Sequence, residues 1–429
     1  MHQTNYLKTA KLTLFKNFDS REVSLTAFLK SLMRLRLVPS EVSMDLLVIA
    51  CTMYAADTRI RREHHSEDNW TRIIELFIPV SNLGLWNSER RSLEKIFRFL
   101  TGDIWSITFR ERSANSAVLA PVSKLKRFMM PYETDTVCLF SGGMDSFIGA
   151  IDLLEKNIRP LLVGHSKSAD VSPYQKGCGE ALNNHYKENS AQRVFAFIKV
   201  PKAGLFNSED HTERGRSFMF LTLGAICASC LKDRSKLIVP ENGMISLNIP
   251  LTPLRTGSHS TRTTHPHYFG LMQSLFDNLS LGVTIENPYQ FKTKGEMLLE
   301  CLNKDLVRIT PTMSCSHPSG RFEGLGNLHC GSCVPCIIRQ ASYLSAGISD
   351  EFRYRRNIFK EEGLRISKAE GADIIAFKYM IEKAKLNPGY LTAAIRNTGP
   401  LGDQVDQYVD VYNRALLEVD KLIKEVVLI

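Results

Sequence analysis

The sequence predicts an α/β fold: a doubly wound parallel sheet, flanked by an N-terminal α+β region and a C-terminal helical extension. Three observations predict it. Short apolar runs alternate with helix-spaced segments between about residues 134 and 345. The stretch VCLFSGGMDSFIG, Val137 to Gly149, passes from an apolar run through a glycine loop into a helical pattern. Residues 346–429 are rich in Lys, Glu, Ala and Leu at helical spacing. Strands separated by helices of this length form βαβ units and a parallel sheet, and such sheets bind ligands at the carboxyl ends of their strands.

The chain has 429 residues. A soft prior of about 150 residues per domain suggests two or three domains. We divide it into 1–130, 131–345 and 346–429. Hydrophobic content of 44% and charged content of 23% suit an ordinary globular protein with a sizeable core. The N-terminus, MHQTNYLKTAKLTLFKNF, mixes polar with apolar residues, so no signal peptide is expected. The longest mostly apolar run, Leu46 to Ala56, is about half the length of a membrane span. The expectation is a cytoplasmic protein without a membrane partner. The net charge of +9 lies in short runs such as Arg59–Arg62, Lys124–Arg127 and Arg353–Arg356. These suit a polyanionic partner or a phosphate-bearing ligand, and equally an ordinary solvated face. There is no internal repeat and no low-complexity segment.

In the N-terminal region, NYLKTAKLTLF alternates weakly and MDLLVIACTMYAADTRI reads as a buried helix. TRIIELFIPV and DIWSITFRER read as strands. Nothing here spaces ligands or nucleophiles, so no chemistry is assigned. Asp103 and Trp105 read as a turn aspartate and a core tryptophan. In the middle region the expected strands are 136–140, 159–164, 194–200, 236–240 and 283–286. The expected helices are 146–156, 176–190, 217–232 and 266–280. Thr293 followed by Glu296 is a capping box, which starts another helix. LNPGY, 386–390, breaks the C-terminal helical run.

The loop between Phe140 and the helix delivers main-chain N–H groups to a helix N-terminus. Gly142 and Gly143 remove Cβ atoms where a ligand must approach the backbone. Ser141 and Ser146 add hydroxyls, and the helix dipole favours an anion. Asp145 would repel a phosphate unless a cation such as Mg²⁺ bridged the two. A Walker A loop needs a lysine that this loop lacks. A plain turn with a helix cap has a similar composition.

The ten cysteines include a cluster. Cys315 precedes CGSCVPC, which supplies Cys330, Cys333 and Cys336. Four thiolates suit a closed structural zinc site, and an iron–sulfur cluster is the rival. Cys227 and Cys230 lie in an apolar helix and read as core residues.

The segment FSGGMDS resembles the PP-loop signature of the ATP pyrophosphatase superfamily, whose members cleave ATP to AMP and pyrophosphate. The resemblance implies that Ser141, Gly142, Gly143, Asp145 and Ser146 hold the pyrophosphate end of ATP. It places the adenine near Phe140 and His165. ERGRSFMFLTLGAICA, ENPYQFKTKGEML and DLVRITPTMSC with HCGSCVPC resemble, in order, three segments of the 7-cyano-7-deazaguanine synthase family, QueC. Lys294 and Glu296 fall in matching places. The similarity runs from about 136 to 346. It implies ATP-driven activation of a 7-deazaguanine-type carboxylate, with Mg²⁺ and a structural Zn²⁺. Arg216 is then the bidentate donor to carboxylate or phosphate; the competing reading is a surface arginine at a helix start.

Two stretches depart from that family. GHSKSADVSPYQK stands where a Tyr-Gly-Gln-like stretch is usual, and LRTGSHSTRTTHPHYF replaces an Asp/Arg-bearing one. The gap from Cys315 to Cys330 is also longer. The added regions 1–130 and 346–429 make the layout similar to QueC-like proteins of antiphage defence systems, the QatC type. That similarity implies a ligase whose amine acceptor is a partner protein of the same operon. The alternatives are a nitrile synthase of the queuosine pathway, a tRNA-modifying enzyme using the basic surfaces, and a non-catalytic binding module.

Overall fold

The structure is a computed structural model. It describes residues 12–14, 22–23, 25–66, 68, 70–121, 132–166, 172–198, 200, 209–210, 212, 214–252, 262–316, 328–350, 354–355, 358, 369–424 and 426. The Lys124–Arg127 run, Arg353, Arg356 and the segments 167–171, 253–261 and 317–327 lie outside the described residues, as does most of NYLKTAKLTLF.

The N-terminal region opens with a short parallel pair, β1 (Thr13–Leu14) and β2 (Glu22–Val23). The helices α1 (Thr26–Leu35), α2 (Glu41–Arg59) and α3 (Arg62–His65) follow. Ser40 caps α2 by accepting the Ser43 N–H at 3.1 Å. α2 is apolar nearly all round, as a helix covered on all sides must be, and is buried along almost its whole length. The next unit is β3 (Ile73–Val80), α4 (Leu83–Thr101) and β4 (Ile104–Glu111). The two strands pair in parallel across α4, forming a βαβ unit. Each strand buries alternate residues, the period-two signature of a half-covered sheet.

The main sheet comprises β5 (Thr136–Leu139), β6 (Leu161–Ser166), β7 (Gln192–Phe197), β8 (Ser235–Ile238) and β9 (Val283–Glu286). All pairs are parallel, in the spatial order β7-β6-β5-β8-β9. The connecting helices are α5 (Met144–Glu155), α6 (Ser172–His185), α7 (Arg216–Ser229), α8 (Gly243–Leu247) and α9 (Pro266–Asn278). After β9 come α10 (Lys294–Glu300), α11 (Lys304–Ile309) and α12 (Val334–Ser345). The expected strands and helices are all present, with ends shifted by a few residues. α5 begins at Met144, so Asp145 and Ser146 stand in its first turn rather than in the loop. The expected capping box is formed: Thr293 Oγ1 accepts the Glu296 N–H at 3.0 Å, and Glu296 accepts the Thr293 N–H at 2.9 Å.

Both faces of the sheet are covered, as parallel sheets require. Val137 and Leu139 face one core, while Cys138 and Phe140 face another. The first core is continuous from Leu25 through α2, α4, α7 and α9, and α2 packs on α7. The second lies under α5, α6, α10 and α11. The C-terminal helices α13 (Ala369–Leu386), α14 (Tyr390–Arg396) and α15 (Val405–Ile423) build a third core with α8 and α12. The LNPGY break falls between α13 and α14 as expected. No described helix is long and apolar enough to cross a membrane.

Candidate functional site

The sheet order places one topological switch point. The chain moves outward from β5 through β6 to β7, then returns to add β8 and β9 on the other side. The loops leaving β5 and β8 therefore diverge at neighbouring carboxyl ends and open the crevice where α/β sheets bind ligands. The Ser141–Ser146 segment follows β5, and Glu241 and Asn242 follow β8.

Gly142 has φ +80°, and a Cβ there would lie 2.8 Å from the main-chain nitrogen of Gln175. Both the left-handed backbone and the close approach require glycine. The N–H groups of the loop point at hydroxyls. Ser141 N–H donates to Ser146 Oγ at 3.2 Å, Gly143 N–H to Ser141 Oγ at 3.2 Å, and Met144 N–H to Ser314 Oγ at 3.3 Å. Sequence reasoning expected these donors to await an anion. A hydroxyl both donates and accepts, so an incoming anion can take the N–H groups while the hydroxyls rotate to donate to it. The segment before Cys315 lies against the loop, with Met313 N–H donating to Gly142 O at 2.9 Å.

Asp145 is buried beside residues from two other elements. Lys294, the first residue of α10, forms an ion pair with its Oδ1. Asn242 donates to Oδ2 from its side chain at 2.7 Å and its main chain at 3.3 Å. Burial pushes the Asp145 carboxyl up, but the Lys294 charge and hydrogen bonds from Glu241, Lys294 and Asn242 hold it below the usual carboxylate range. Glu241 moves the other way. Burial and then the Asp145 charge push its carboxyl well above the ordinary value, and it shares a hydrogen bond with Asp145. The two carboxyls are thus pushed in opposite directions, Asp145 towards its charged form beside Lys294 and Glu241 towards its neutral one. A divalent cation could replace the Glu241 proton, adding the positive charge that two such close carboxyl groups need beyond Lys294 for both to ionise.

Phe140 and His165 stand at the carboxyl ends of β5 and β6. Their side chains are wholly buried, Phe140 in the core and His165 edge-on to Tyr54 at 5.9 Å. What they bring to the strand ends is main chain. Gln175 Nε2 donates to Phe140 O at 3.3 Å and to His165 O at 3.2 Å. Arg216 donates to the same His165 oxygen at 3.2 Å. Arg216 is the first residue of α7, and that helix start is fixed by the N-terminal region. Asp57 of α2 accepts the Gly215 N–H at 2.9 Å while its other oxygen binds Arg72 at 2.7 Å. Asp103 is more than a turn residue, since it is the buried counter-ion of Arg72 and Arg62. Trp105 is buried, as expected.

The four cluster cysteines meet. Their sulfurs all lie within 4.8 Å of one another. Cys315 and Cys333 are 3.8 Å apart, and Cys330 and Cys336 are 3.9 Å apart. One ion bound tetrahedrally at about 2.3 Å from each sulfur sets edges of roughly 3.8 Å. The quartet can therefore hold a metal ion such as zinc. Cys333 caps α12 and Cys336 lies in its first turn, where the helix dipole favours thiolate. Gly331, at φ +93°, turns the knuckle, and its carbonyl accepts from Gln340 at 2.8 Å. Cys227 is a buried residue of α7, and Cys230 caps the end of that helix.

No protein-family model matches the chain, and no curated protein matches it.

Sequence reasoning missed Glu241, Asn242, Gln175 and Ser314 as site residues, and gave Lys294 no role. The signal for the first two was available: a Glu-Asn pair directly after a buried strand, at the carboxyl edge. Gln175 and Ser314 carried none, because only the folded chain brings them to the loop.

Proposed function

We propose that the chain is an ATP-dependent ligase of the PP-loop type. It adenylates a carboxylate of the 7-deazaguanine kind and transfers the acyl group to an amine. The observation that carries this reading is the Asp145–Lys294–Asn242–Glu241 group beside the Ser141–Ser146 loop at the switch point. It links the SGGMDS segment to the KTKGEM segment, two of the stretches that resemble the QueC family.

In this reading the loop N–H groups and the Ser141 and Ser146 hydroxyls bind the pyrophosphate end of ATP. Asp145 and Glu241 would hold a Mg²⁺ ion, which neutralises phosphate charge when bound. A substrate carboxylate oxygen attacks the α-phosphorus, the bond to the bridging oxygen breaks, and pyrophosphate leaves. The acyl-adenylate is then attacked by an amine, which loses a proton as AMP departs. Arg216 suits the charge that gathers on the carboxylate and on the leaving phosphate, being a planar bidentate donor. The metal is zinc in a structural role, because four thiolates leave no open position. A four-iron cluster would place a separate iron under each thiolate and spread the sulfurs beyond a single-ion arrangement.

The regions 1–130 and 346–429 support a protein acceptor, the partner of a defence operon. The deciding experiment is mass spectrometry of products from purified protein with ATP, Mg²⁺ and 7-carboxy-7-deazaguanine, with ammonia or a neighbouring-operon protein as acceptor. AMP, pyrophosphate and a mass increase on the acceptor protein are expected. AMP with free nitrile would return the chain to queuosine chemistry. No AMP under any condition overturns the reading.

A further inference from the structure

A charged cleft lies at the β7 edge of the main sheet, lined by residues of α1, α6 and β7, and what it suggests goes beyond the proposed ligase activity. β7 is an edge strand of the main sheet, and α1 packs along it. Alternate residues of a strand share a face, so Arg193, Phe195 and Phe197 lie on one side. Phe195 packs over Gly164, where a Cβ would fall 2.5 Å from its ring. The Arg193 guanidinium stands 5.7 Å from the centre of that ring and donates to Lys176 O at 3.2 Å. On α1, Lys30 and Arg34 are one turn apart on the same face, and Arg34 donates to Arg193 O at 3.0 Å. Lys30, Ser31, Arg34, Lys176, Arg193 and Phe195 line a cleft of about 430 Å³.

The described lining holds four cations and no carboxylate. Arg34 and Arg193 are oriented by main-chain carbonyls, which fix a guanidinium without neutralising it. Lys176 has Glu180 at 3.8 Å, but both side chains are exposed, and such a pair is weak. Like charges gathered in one hollow repel, and a polyanion relieves that repulsion. Phe195 is half-buried at the cleft, and Phe197, 44% exposed, continues its face. Flat rings beside cations suit stacked bases as well as phosphates. An acidic peptide would use the charges and leave the rings idle. Rings can stack on unpaired bases, which a duplex keeps stacked inside, so a single strand suits the cleft better than a duplex.

We propose that this cleft binds a single nucleic-acid strand, phosphates on Lys30, Arg34, Lys176 and Arg193 and bases against Phe195 and Phe197. The strand would lie close to the glycine loop, since Lys176 follows Gln175, the residue packed on Gly142.

Fluorescence anisotropy of full-length protein with a labelled oligo-uridylate of about 15 nucleotides tests this. The wild type is expected to bind the strand more tightly than a duplex of equal length. The double variant Lys30→Glu/Arg34→Glu is expected to bind at least about tenfold more weakly, with the slope of log K against log salt reduced by about 1.4. Phe197→Ala should weaken binding several-fold at every salt concentration, because stacking is not screened. Equal binding by the charge-reversed variant overturns the proposal. So does polyglutamate competing as well as oligo-uridylate, which would make an acidic protein surface the ligand. Formation of AMP by Lys30→Glu/Arg34→Glu is expected to match the wild type, so failure here is distinct from failure of the ligase reading.

Discussion

Ser314, the residue before the cluster cysteine Cys315, accepts the main-chain N–H of Met144 at 3.3 Å. The cysteine quartet and the glycine loop are therefore one residue apart. His329, the residue before Cys330, holds the same arm by accepting the Ser314 N–H at 3.3 Å. Both cysteine-bearing segments thus brace the segment that covers Gly142 and Gly143. A metal held by the quartet would fasten the loop as well as the fold. Cys333→Ser is expected to lose metal and stability together, because binding energy at such a site is folding energy. Ser314→Ala is expected to keep its metal and melt within about 2 °C of wild type, yet bind ATP roughly three- to tenfold more weakly, the worth of one hydrogen bond at the loop. Metal analysis, thermal melting and calorimetric titration with ATP check this. Unchanged ATP affinity in Ser314→Ala would show that the arm plays no part in the loop.

Lys294 is the cation nearest two carboxyl groups, and its loss leaves them without a counter-charge. Breaking a buried pair by removing one partner costs about 3–5 kcal/mol. Lys294→Met is expected to destabilise by that order in urea unfolding. Lys294→Met combined with Asp145→Asn should recover much of the loss, since no buried charge then stands alone. Both variants should form no AMP. Additive losses in the double variant would mean that the two side chains are not coupled in the folded protein.

What the sequence revealed were its local signals. β5 to β9 were legible because each is a short apolar run bounded by turn residues. α10 was legible because Thr293 and Glu296 carry both halves of a capping box, and the quartet because Cys330, Cys333 and Cys336 share a fixed spacing. The contact of Lys294 with Asp145 joins residues 149 apart, and Gly215 with Asp57 spans 158. Such pairs depend on which strands become neighbours, and no window of sequence holds that. That Phe140 and His165 offer their carbonyls rather than their buried rings at the strand ends was not legible either, because it depends on which helices cover the sheet.

The C-terminal helix reaches the site through α10. Glu418 of α15 accepts the Thr293 hydroxyl and the Gly295 N–H, the latter at 3.2 Å, and Arg414 pairs with Glu296. α15 thus supplies a second cap to the helix that carries Lys294. Burial raises the Glu418 carboxyl above its ordinary value, and the two hydrogen bonds offset only part of that. Glu418→Ala is expected to cost about 1–2 kcal/mol, the worth of a lost cap. Glu418→Gln, which keeps an acceptor without charge, should cost less. Urea unfolding separates them. Equal losses would show that the charge, and not the cap, holds α15 to α10.

His265 gives a pH test remote from the cysteine quartet. It caps α9, its Nδ1 accepting the His267 N–H at 3.2 Å. Its Nε2 lies 2.9 Å from Thr398 Oγ1, and that hydroxyl donates to Ile395 O at 2.7 Å. The network assigns a neutral ring, Nε2 carrying the proton. Burial, then Arg262 and His267, lowers its pKa from 6.5 to about 3. The folded state therefore favours the uncharged form, and the contribution is fully present above the unfolded value. It is lost as pH falls from 6.5 towards 3, by at most about 1.4 kcal/mol per pH unit. Carboxylates titrate over part of this window too, so the informative quantity is the difference between wild type and His265→Gln. At about pH 7.5 the variant should be less stable by roughly 1–3 kcal/mol, for the lost bonds. At about pH 5 that gap should shrink by about 1–2 kcal/mol, because only the wild type resists protonation. A gap that stays constant between the two conditions would mean that His265 is not the group whose protonation loosens α9 from the Thr398 turn.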